Sequence, residues 1–111
     1  DFELNKTLLK VAEKSNEGKP RAINADLLDK GFTVDGTVLI NNLEASPTLA
    51  AQIRSNPELT VPQLGRSVCS NAGFRTLMAQ GATLRYSFRE YKTNSPVLTQ
   101  DFRAENCQRK Q

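Results

Sequence analysis

The segment at residues 83–91, "TLRYSFREY", constrains the fold more than any other stretch of this chain. Apolar side chains occupy every second position of its centre, at Leu84, Tyr86 and Phe88. This alternation is typical of a strand with one buried face and one exposed face. The turn signal Asn94-Ser95-Pro96 separates it from "VLTQDFR", which predicts a returning strand. The last third of the chain is therefore predicted to form a β-hairpin.

A second hairpin is predicted nearer the N-terminus. Residues 27–34 ("LLDKGFTV") and 37–44 ("TVLINNLE") flank Asp35-Gly36, the preferred dipeptide of a two-residue type I′ turn. Both faces of the second strand are partly apolar. This strand is therefore expected to lie inside the sheet or under helices.

Helix signals fill the rest of the chain. Residues 2–15 place Leu4, Leu8 and Val11 on one face, and the pattern stops at Gly18-Lys19-Pro20. Ser46-Pro47 predicts the start of a second helix, with Leu49, Ala50 and Ile53 on its buried side and its end at Asn56-Pro57.

Two more helices are predicted before the C-terminal hairpin. Thr60 and Gln63 have the spacing of a capping box, which predicts a short helix through Leu64 and Val68. Ser70 or Asn71 is expected to cap the last helix, which carries Phe74, Leu77 and Met78, and Gly81 fits a left-handed residue at its end. We predict one α+β domain over residues 1–111, with an antiparallel sheet built from two hairpins and about four helices packed on it.

Charge and hydropathy exclude two classes of protein. The net charge of +3 on 111 residues is far below the concentrated positive charge of a nucleic-acid binder. No apolar run approaches the roughly 20 residues that a membrane helix needs. Because the chain starts at Asp1 without methionine, we expect that a leader was cleaved or that the N-terminus was trimmed.

The chain contains no histidine. This excludes Ser-His and Cys-His catalytic pairs and most zinc sites, so we predict a protein that is not an enzyme and that has no metal and no cofactor. A hydrolase that uses only carboxylates stays open as a competing class, for example around Asp26, Asp29 or Glu90. The spacing of Asp26, Asp29 and Asp35 does not match a calcium loop of the EF-hand type.

Cys69 and Cys107 are the two cysteines of the chain. A reactive thiolate at Cys69 is one interpretation, since Arg66 and the helix start after Ser70 would lower the pKa of its thiol. We favour a disulfide, because two lone cysteines in a small domain without a metal site usually pair. The predicted bond joins a helix junction to the end of the last strand.

Two basic surfaces are candidate binding sites. Arg85 and Arg89 lie on the outward side of the predicted C-terminal hairpin, and Arg103 joins them if the strand register allows. Cross-strand charge pairing with acidic neighbours is the interpretation we favour, and recognition of an acidic protein partner is the alternative. The lysines of the first helix, which are Lys6, Lys10 and Lys14, are interpreted in the same way as a solvated face.

The block "VCSNAGFRTLMAQGATLRYSFREY", which closes at "FRAENC", resembles small exported bacterial proteins with one helix-to-strand disulfide. With the order of predicted elements, it is most similar to the quorum-sensing-regulated virulence factor family of Pseudomonas-type bacteria. The resemblance implies a secreted or periplasmic protein without an established enzymatic activity, and it carries over Cys69 and Cys107. It provides no active site.

We therefore expect an exported interaction protein linked to virulence, under quorum-sensing control, with an unknown protein partner. The alternative is a periplasmic pilotin-like secretion accessory that binds the terminal helix of a partner.

Overall fold

In the computed structural model, which describes residues 1–108, four helices cover a sheet of five strands. The elements in chain order are α1 (Phe2–Ser15), β1 (Arg21–Asn24), β2 (Leu27–Asp35), β3 (Val38–Ala45), α2 (Pro47–Ser55), α3 (Pro57–Cys69), α4 (Ala72–Ala79), β4 (Thr83–Glu90), β5 (Pro96–Phe102) and a 3-10 turn (Ala104–Cys107). The α+β class, the number of helices and both hairpins are confirmed.

The sheet is mixed, and the prediction of a purely antiparallel sheet was wrong. Its strand order is β1-β2-β3-β4-β5, in which β3 and β4 pair in parallel while the other neighbours are antiparallel. The connection from β3 to β4 contains α2, α3 and α4. Parallel neighbours require such a long crossover, whereas a short turn joins antiparallel neighbours. Each hairpin was recognised from its own turn, but their mutual direction depends on how this crossover folds.

Strand β1 was not predicted. Its four residues, "RAIN", are all exposed, so they show no alternation of apolar and polar positions. The strand exists because its backbone pairs with β2, which holds Arg21 opposite Asp29.

The first hairpin turn differs in type from the prediction. Asp35 pairs with Val38, so the two central residues of the turn are Gly36 and Thr37. Only Gly36 has a positive φ, at 62°. A type I′ turn needs positive φ at both central positions, whereas type II′ needs it at the first alone. The backbone therefore fits type II′.

The N-cap of helix α3 lies four residues before the predicted one, Thr60. Asn56 occupies the N-cap position, and Pro57 is the first helical residue, where its missing N–H has no consequence. Thr60 therefore lies inside the helix, next to the second proline, Pro62. The other two predicted caps are confirmed, since Ser46 and Asn71 accept hydrogen bonds from the backbone N–H groups of Leu49 and Phe74.

All four helices pack on the same face of the sheet. The buried strand residues are Leu39, Leu43, Leu84, Phe88 and Phe102, and they contact buried residues of the helices in two clusters. On α1 the buried side is formed by Leu4, Leu8 and Ala12, while Val11, predicted on the same face as Leu4 and Leu8, is half-buried. The opposite face of the sheet is uncovered and carries polar and aliphatic side chains that include Thr33, Ile40, Ser87 and Thr99.

Asn16, at the end of α1, attaches this helix to the edge of β2. Its side-chain amide donates to the carbonyl of Phe32 at 2.9 Å, and its Oδ1 accepts from the N–H of Phe32 at 2.6 Å. The neighbouring Gly31 has φ +101°, and a Cβ there would lie 2.6 Å from Asn16 Oδ1. Only glycine therefore allows this attachment.

Adjacent leucines on α1 provide a test of this packing. Leu8 is fully buried, whereas Leu9 is 51% exposed. We expect Leu8→Ala to lower the free energy of unfolding by about 2–5 kcal/mol, because it leaves a cavity between α1 and the sheet. Leu9→Ala should change it by no more than about 0.5 kcal/mol. Urea unfolding followed by circular dichroism measures both, and equal losses would contradict this placement of α1.

Candidate partner-binding site

A groove with a volume of about 940 Å³ lies between α3 and β5. Its apolar wall is formed by Val61, Pro62, Gly65 and Phe102. A Cβ on Gly65 would lie 3.2 Å from Cε1 of Phe102. The absence of a side chain on Gly65 therefore lets α3 approach the end of β5 closely.

The disulfide between Cys69 and Cys107 forms one end of the groove. This bond confirms the predicted pairing and excludes a free thiolate at Cys69, because both cysteines of the chain are in it. Cys69 is the last residue of α3, as expected for a helix junction.

Cys107 lies in the 3-10 turn after β5, so the bond does not join a helix to a strand as predicted. The strand stops because Arg103 and Asn106 form a closed turn. The N–H of Arg103 donates to Asn106 Oδ1 at 2.7 Å, and the N–H of Asn106 donates to the carbonyl of Arg103 at 2.9 Å. This turn redirects the chain so that Cys107 reaches Cys69.

Among residues 1–108, the charged residues that line the groove are Arg66, Arg75 and Asp101. Arg75 donates to the carbonyl of Cys69 at 2.9 Å, and Arg66 is exposed without an ion pair among residues 1–108. Asp101 accepts two hydrogen bonds from the guanidinium of Arg85, at 2.7 and 3.0 Å. These bonds hold the pKa of the Asp101 carboxyl below its ordinary value, against the opposing effect of desolvation. The groove therefore carries an excess of positive charge.

The three arginines singled out in the sequence have different surroundings. Arg85 lies opposite Asp101 on the uncovered face of the sheet, so the favoured prediction of cross-strand pairing is confirmed for this residue. Arg103 is exposed at the same end of the sheet, where its charge further lowers the pKa of Asp101. Arg89 is exposed at the other end and donates to the carbonyl of Asn94 in the hairpin turn. Their role in binding a partner stays a prediction.

The carboxylates considered for catalysis have structural contacts. Asp29 is buried, pairs with Lys19 and accepts from the N–H of Gly31. Asp26 accepts from the hydroxyl of the helix cap Ser46, and Glu90 pairs with Arg54. Among residues 1–108, no three carboxylate or cysteine side chains are grouped closely enough to hold a metal ion.

The lysines of α1, Lys6, Lys10 and Lys14, are exposed. Lys6 lies 5.6 Å from the ring centre of Phe2, on the same solvent-facing side of the helix. This placement agrees with the solvated face that the sequence predicts.

Sequence reasoning missed the groove, because the residues that form it come from α3, α4 and the chain after β4, which are distant in sequence. The available signal was the presence of Pro62 and Gly65 in a stretch that is otherwise helical, since both residues lower helix propensity and need a local reason.

Comparison with known families matches residues 1–108 to the family described as "Putative quorum-sensing-regulated virulence factor". The chain belongs to this family. This match, which covers nearly the whole chain, confirms the resemblance seen in the sequence. No curated protein sequence matches the chain.

Solved structures extend this comparison. A crystal structure described as a putative secreted protein from Pseudomonas aeruginosa is 56% identical, with 97% of this chain and 96% of that chain covered and a TM-score of 0.96. Two type II secretion system pilotins share the fold at 17% identity. EpsS from Vibrio vulnificus has a TM-score of 0.73 over 99% of this chain and 100% of its own. AspS from Vibrio cholerae has a TM-score of 0.75 over 96% of this chain and 94% of its own.

None of the helices within residues 1–108 combines the length and the hydropathy needed to cross a bilayer.

The disulfide of this family member should contribute substantially to stability. It closes a loop between cysteines separated by 38 residues, which corresponds to about 4 kcal/mol of loop-closure entropy. We expect the double variant Cys69→Ser, Cys107→Ser to lose a free energy of unfolding of this order, and thiol titration of the unreduced native protein to find no free thiol. A variant as stable as the parent would contradict this contribution.

The Arg85–Asp101 pair should make stability depend on pH. Because the pKa of Asp101 is lowered in the folded state, its contribution is present above the unfolded-state pKa and is lost as pH falls through the folded-state pKa. At pH 7, Asp101→Asn should lower the free energy of unfolding by roughly 0.2–1 kcal/mol, since the pair is partly solvated. Urea unfolding between about pH 5 and about pH 2 should show this difference shrinking toward zero. Glu105→Gln, at an exposed carboxylate, is the control, and a pH-independent difference would contradict the mechanism.

Proposed function

We propose that this chain is an exported, non-enzymatic bacterial protein that binds another protein in the groove between α3 and β5. The observation that carries the proposal is the groove itself, which combines an apolar wall with Arg66 and Arg75 beside a disulfide-linked end. A concave apolar surface with a few convergent charges is the usual form of a recognition site. The family description supports a role in virulence under quorum-sensing control.

Export is supported by two observations. Disulfides persist in the periplasm and outside the cell and are rare in the bacterial cytosol, and this chain has both of its cysteines in one. The Pseudomonas aeruginosa relative, at 56% identity, is described as a secreted protein. We therefore propose that the protein is located in the periplasm or outside the cell.

A non-enzymatic role is supported by what the groove offers chemically. The chain has no histidine to act as a general base, and the sulfur of Cys69 is bonded to Cys107. Among the described residues that line the groove, the carboxylate is that of Asp101, which is paired with Arg85 and has a lowered pKa that makes it a weaker base. These features favour binding over hydrolysis.

A pilotin-like secretion accessory is the second candidate function. Its support is the fold shared with two type II secretion system pilotins over nearly the whole chain. In this proposal the groove receives the terminal helix of a secretion-system component. Both candidates use the same surface and differ in the partner.

Charge reversal in the groove tests the proposed site. The oxidised protein is immobilised and exposed to periplasmic extract and culture supernatant, and captured proteins are identified by mass spectrometry. We expect Arg66→Glu to reduce capture of the partner about tenfold, while Lys10→Glu, the same type of charge change on the exposed side of α1, leaves capture unchanged. Binding by the parent protein should weaken as salt is added.

Three outcomes would contradict parts of this proposal. Absence of any partner that saturates and that excess free protein displaces would contradict a binding function. Equal capture by Arg66→Glu and Lys10→Glu would exclude the groove. Loss of capture by the folded variant Arg89→Glu alone would instead assign binding to the uncovered sheet face that carries Arg85 and Arg89.

A further inference from the structure

Strand β5 lies at one edge of the sheet. Three backbone hydrogen bonds at the ends of the neighbouring strand β4 show which backbone groups of β5 face outward. At both ends of β4, the N–H groups of Thr83 and Tyr91 donate toward β3, to the carbonyls of Thr37 and Ala45. The N–H of Glu90 donates to the other side, to Ser95. Because backbone groups alternate sides along a strand, the even-numbered residues of β4 point their N–H and C=O groups toward β5.

The register between β4 and β5 then fixes the orientation of β5. Leu84, Tyr86 and Phe88 lie opposite Phe102, Gln100 and Leu98, respectively. These three residues of β5 therefore use their backbone groups to bond β4, and the intervening Thr99 and Asp101 direct theirs away from the sheet.

The outward backbone groups of β5 are largely unpaired. Among residues 1–108, the N–H groups of Thr99 and Asp101 and the carbonyl of Thr99 have no hydrogen-bond partner, while the carbonyl of Asp101 accepts from the side chain of Gln100. Edge strands are usually protected by proline, by bulges or by covering elements. Here such protection is confined to the strand ends, with Pro96 and a register shift at the start and the 3-10 turn after the end.

Helix α3 runs beside this edge in the same direction as β5. Arg54, in the last turn of α2 and just before α3, donates to the carbonyl of Pro96 at the start of β5. Gly65 of α3 approaches Phe102 at the end of β5. Leu59, Pro62 and Arg66 have the i, i+3, i+7 spacing of one helix face, and Leu59 is 64% exposed. The outward edge of β5 thus runs beside a helix face that offers apolar side chains first and a positive charge farther on, and the end of this edge, at Gln100, Asp101 and Phe102, lines the groove.

We propose that the partner segment binds as an extended acidic strand that adds to β5. Thr99 and Asp101 supply the backbone hydrogen bonds, α3 receives apolar side chains of the segment on Leu59 and Pro62, and Arg66 and Arg75 attract its carboxylates. The local carboxylate, Asp101, does not oppose this attraction because its charge is paired with Arg85. This inference rests on the proposed function and specifies the chemistry and conformation of its ligand. Strand addition at an exposed edge is a general mode of peptide recognition.

Three synthetic peptides of equal length test the conformation and the charge of the ligand. The first, the Val-Glu peptide, has Thr at every second position, and the positions between, which share the side facing α3, are Val in one half and Glu in the other. The second replaces its Glu residues with Lys. The third places Glu, Leu and Ala at helical spacing. Each is labelled with fluorescein, and its affinity for the oxidised full chain is measured by fluorescence anisotropy. We expect the Val-Glu peptide to bind at least about tenfold more tightly than either of the others.

Thr99→Pro and Thr99→Val separate the contribution of the Thr99 backbone to peptide affinity from the contribution of its side chain. Proline removes the outward N–H and leaves the ladder to β4 in place, while valine keeps the N–H. We expect about a tenfold loss of affinity for the Val-Glu peptide in Thr99→Pro and none in Thr99→Val, with circular dichroism confirming that both fold. Should Thr99→Pro fail to fold, Arg66→Glu provides the second test, with a similar expected loss.

Different results test strand addition and the proposed binding function separately. Preference for the helical peptide, no binding of the Val-Glu peptide, or equal affinity of folded Thr99→Pro and Thr99→Val would overturn strand addition. If the immobilised protein still captures a partner that Arg66→Glu loses, the proposed function stands without this binding mode. If no partner is captured and the Val-Glu peptide still binds as expected, the edge site stands and the proposed function fails.

Discussion

The parallel pairing of β3 with β4 determines how the helices and the two hairpins are arranged. It places Leu39 beside Leu84 and Leu43 beside Phe88, so the two central strands supply the buried centre of both hydrophobic clusters. Because parallel neighbours cannot be joined by a tight turn, the chain between them must cross the sheet, and it does so as three helices. These helices join α1 on one face and leave the other face uncovered.

The disulfide connects two distant parts of this arrangement. Helix α3 is part of the crossover, and the 3-10 turn belongs to the segment after β5, so the bond between Cys69 and Cys107 ties the middle of the crossover to the far edge of the sheet. The groove lies between these two segments. The covalent bond therefore holds the groove at one end, and the hydrogen bond from Arg54 to the carbonyl of Pro96 ties the end of α2 to the start of β5. A preformed groove loses less conformational entropy when a partner binds.

Local features could be predicted from the sequence because they depend on neighbouring residues. The span of α1, the caps at Ser46 and Asn71, and both hairpins follow from periodicity and turn chemistry. The direction of β4 relative to β3 could not be predicted, because it depends on the path of residues 46–82 and not on any residue within either strand. Strand β1 was missed because its residues are all exposed and it is held by backbone pairing with β2, which leaves no signal in its side chains.

Some features of the candidate site could likewise be predicted from the sequence, and others could not. The pairing of Cys69 with Cys107 was predicted from composition, and the pairing of Arg85 with an acidic neighbour was predicted from alternation. Arg66 and Arg75 were not predicted as site residues, since they meet β5 only through the packing of α3 and α4. The unpaired N–H groups of Thr99 and Asp101 carry no side-chain signal at all, and they become visible only when the register of β4 and β5 is known.

Among residues 1–108, strand β5 is an open edge of the sheet, framed by α3 and the disulfide, and we propose that it is available to a partner. Amide hydrogen exchange of the free oxidised protein, resolved for each residue by NMR, tests whether this edge is open. We expect slow exchange at Leu98, Gln100 and Phe102, which donate to β4, and fast exchange at Thr99 and Asp101, whose N–H groups point away from the sheet. Equal protection at all five amides would show that the edge is already covered and would overturn the proposal.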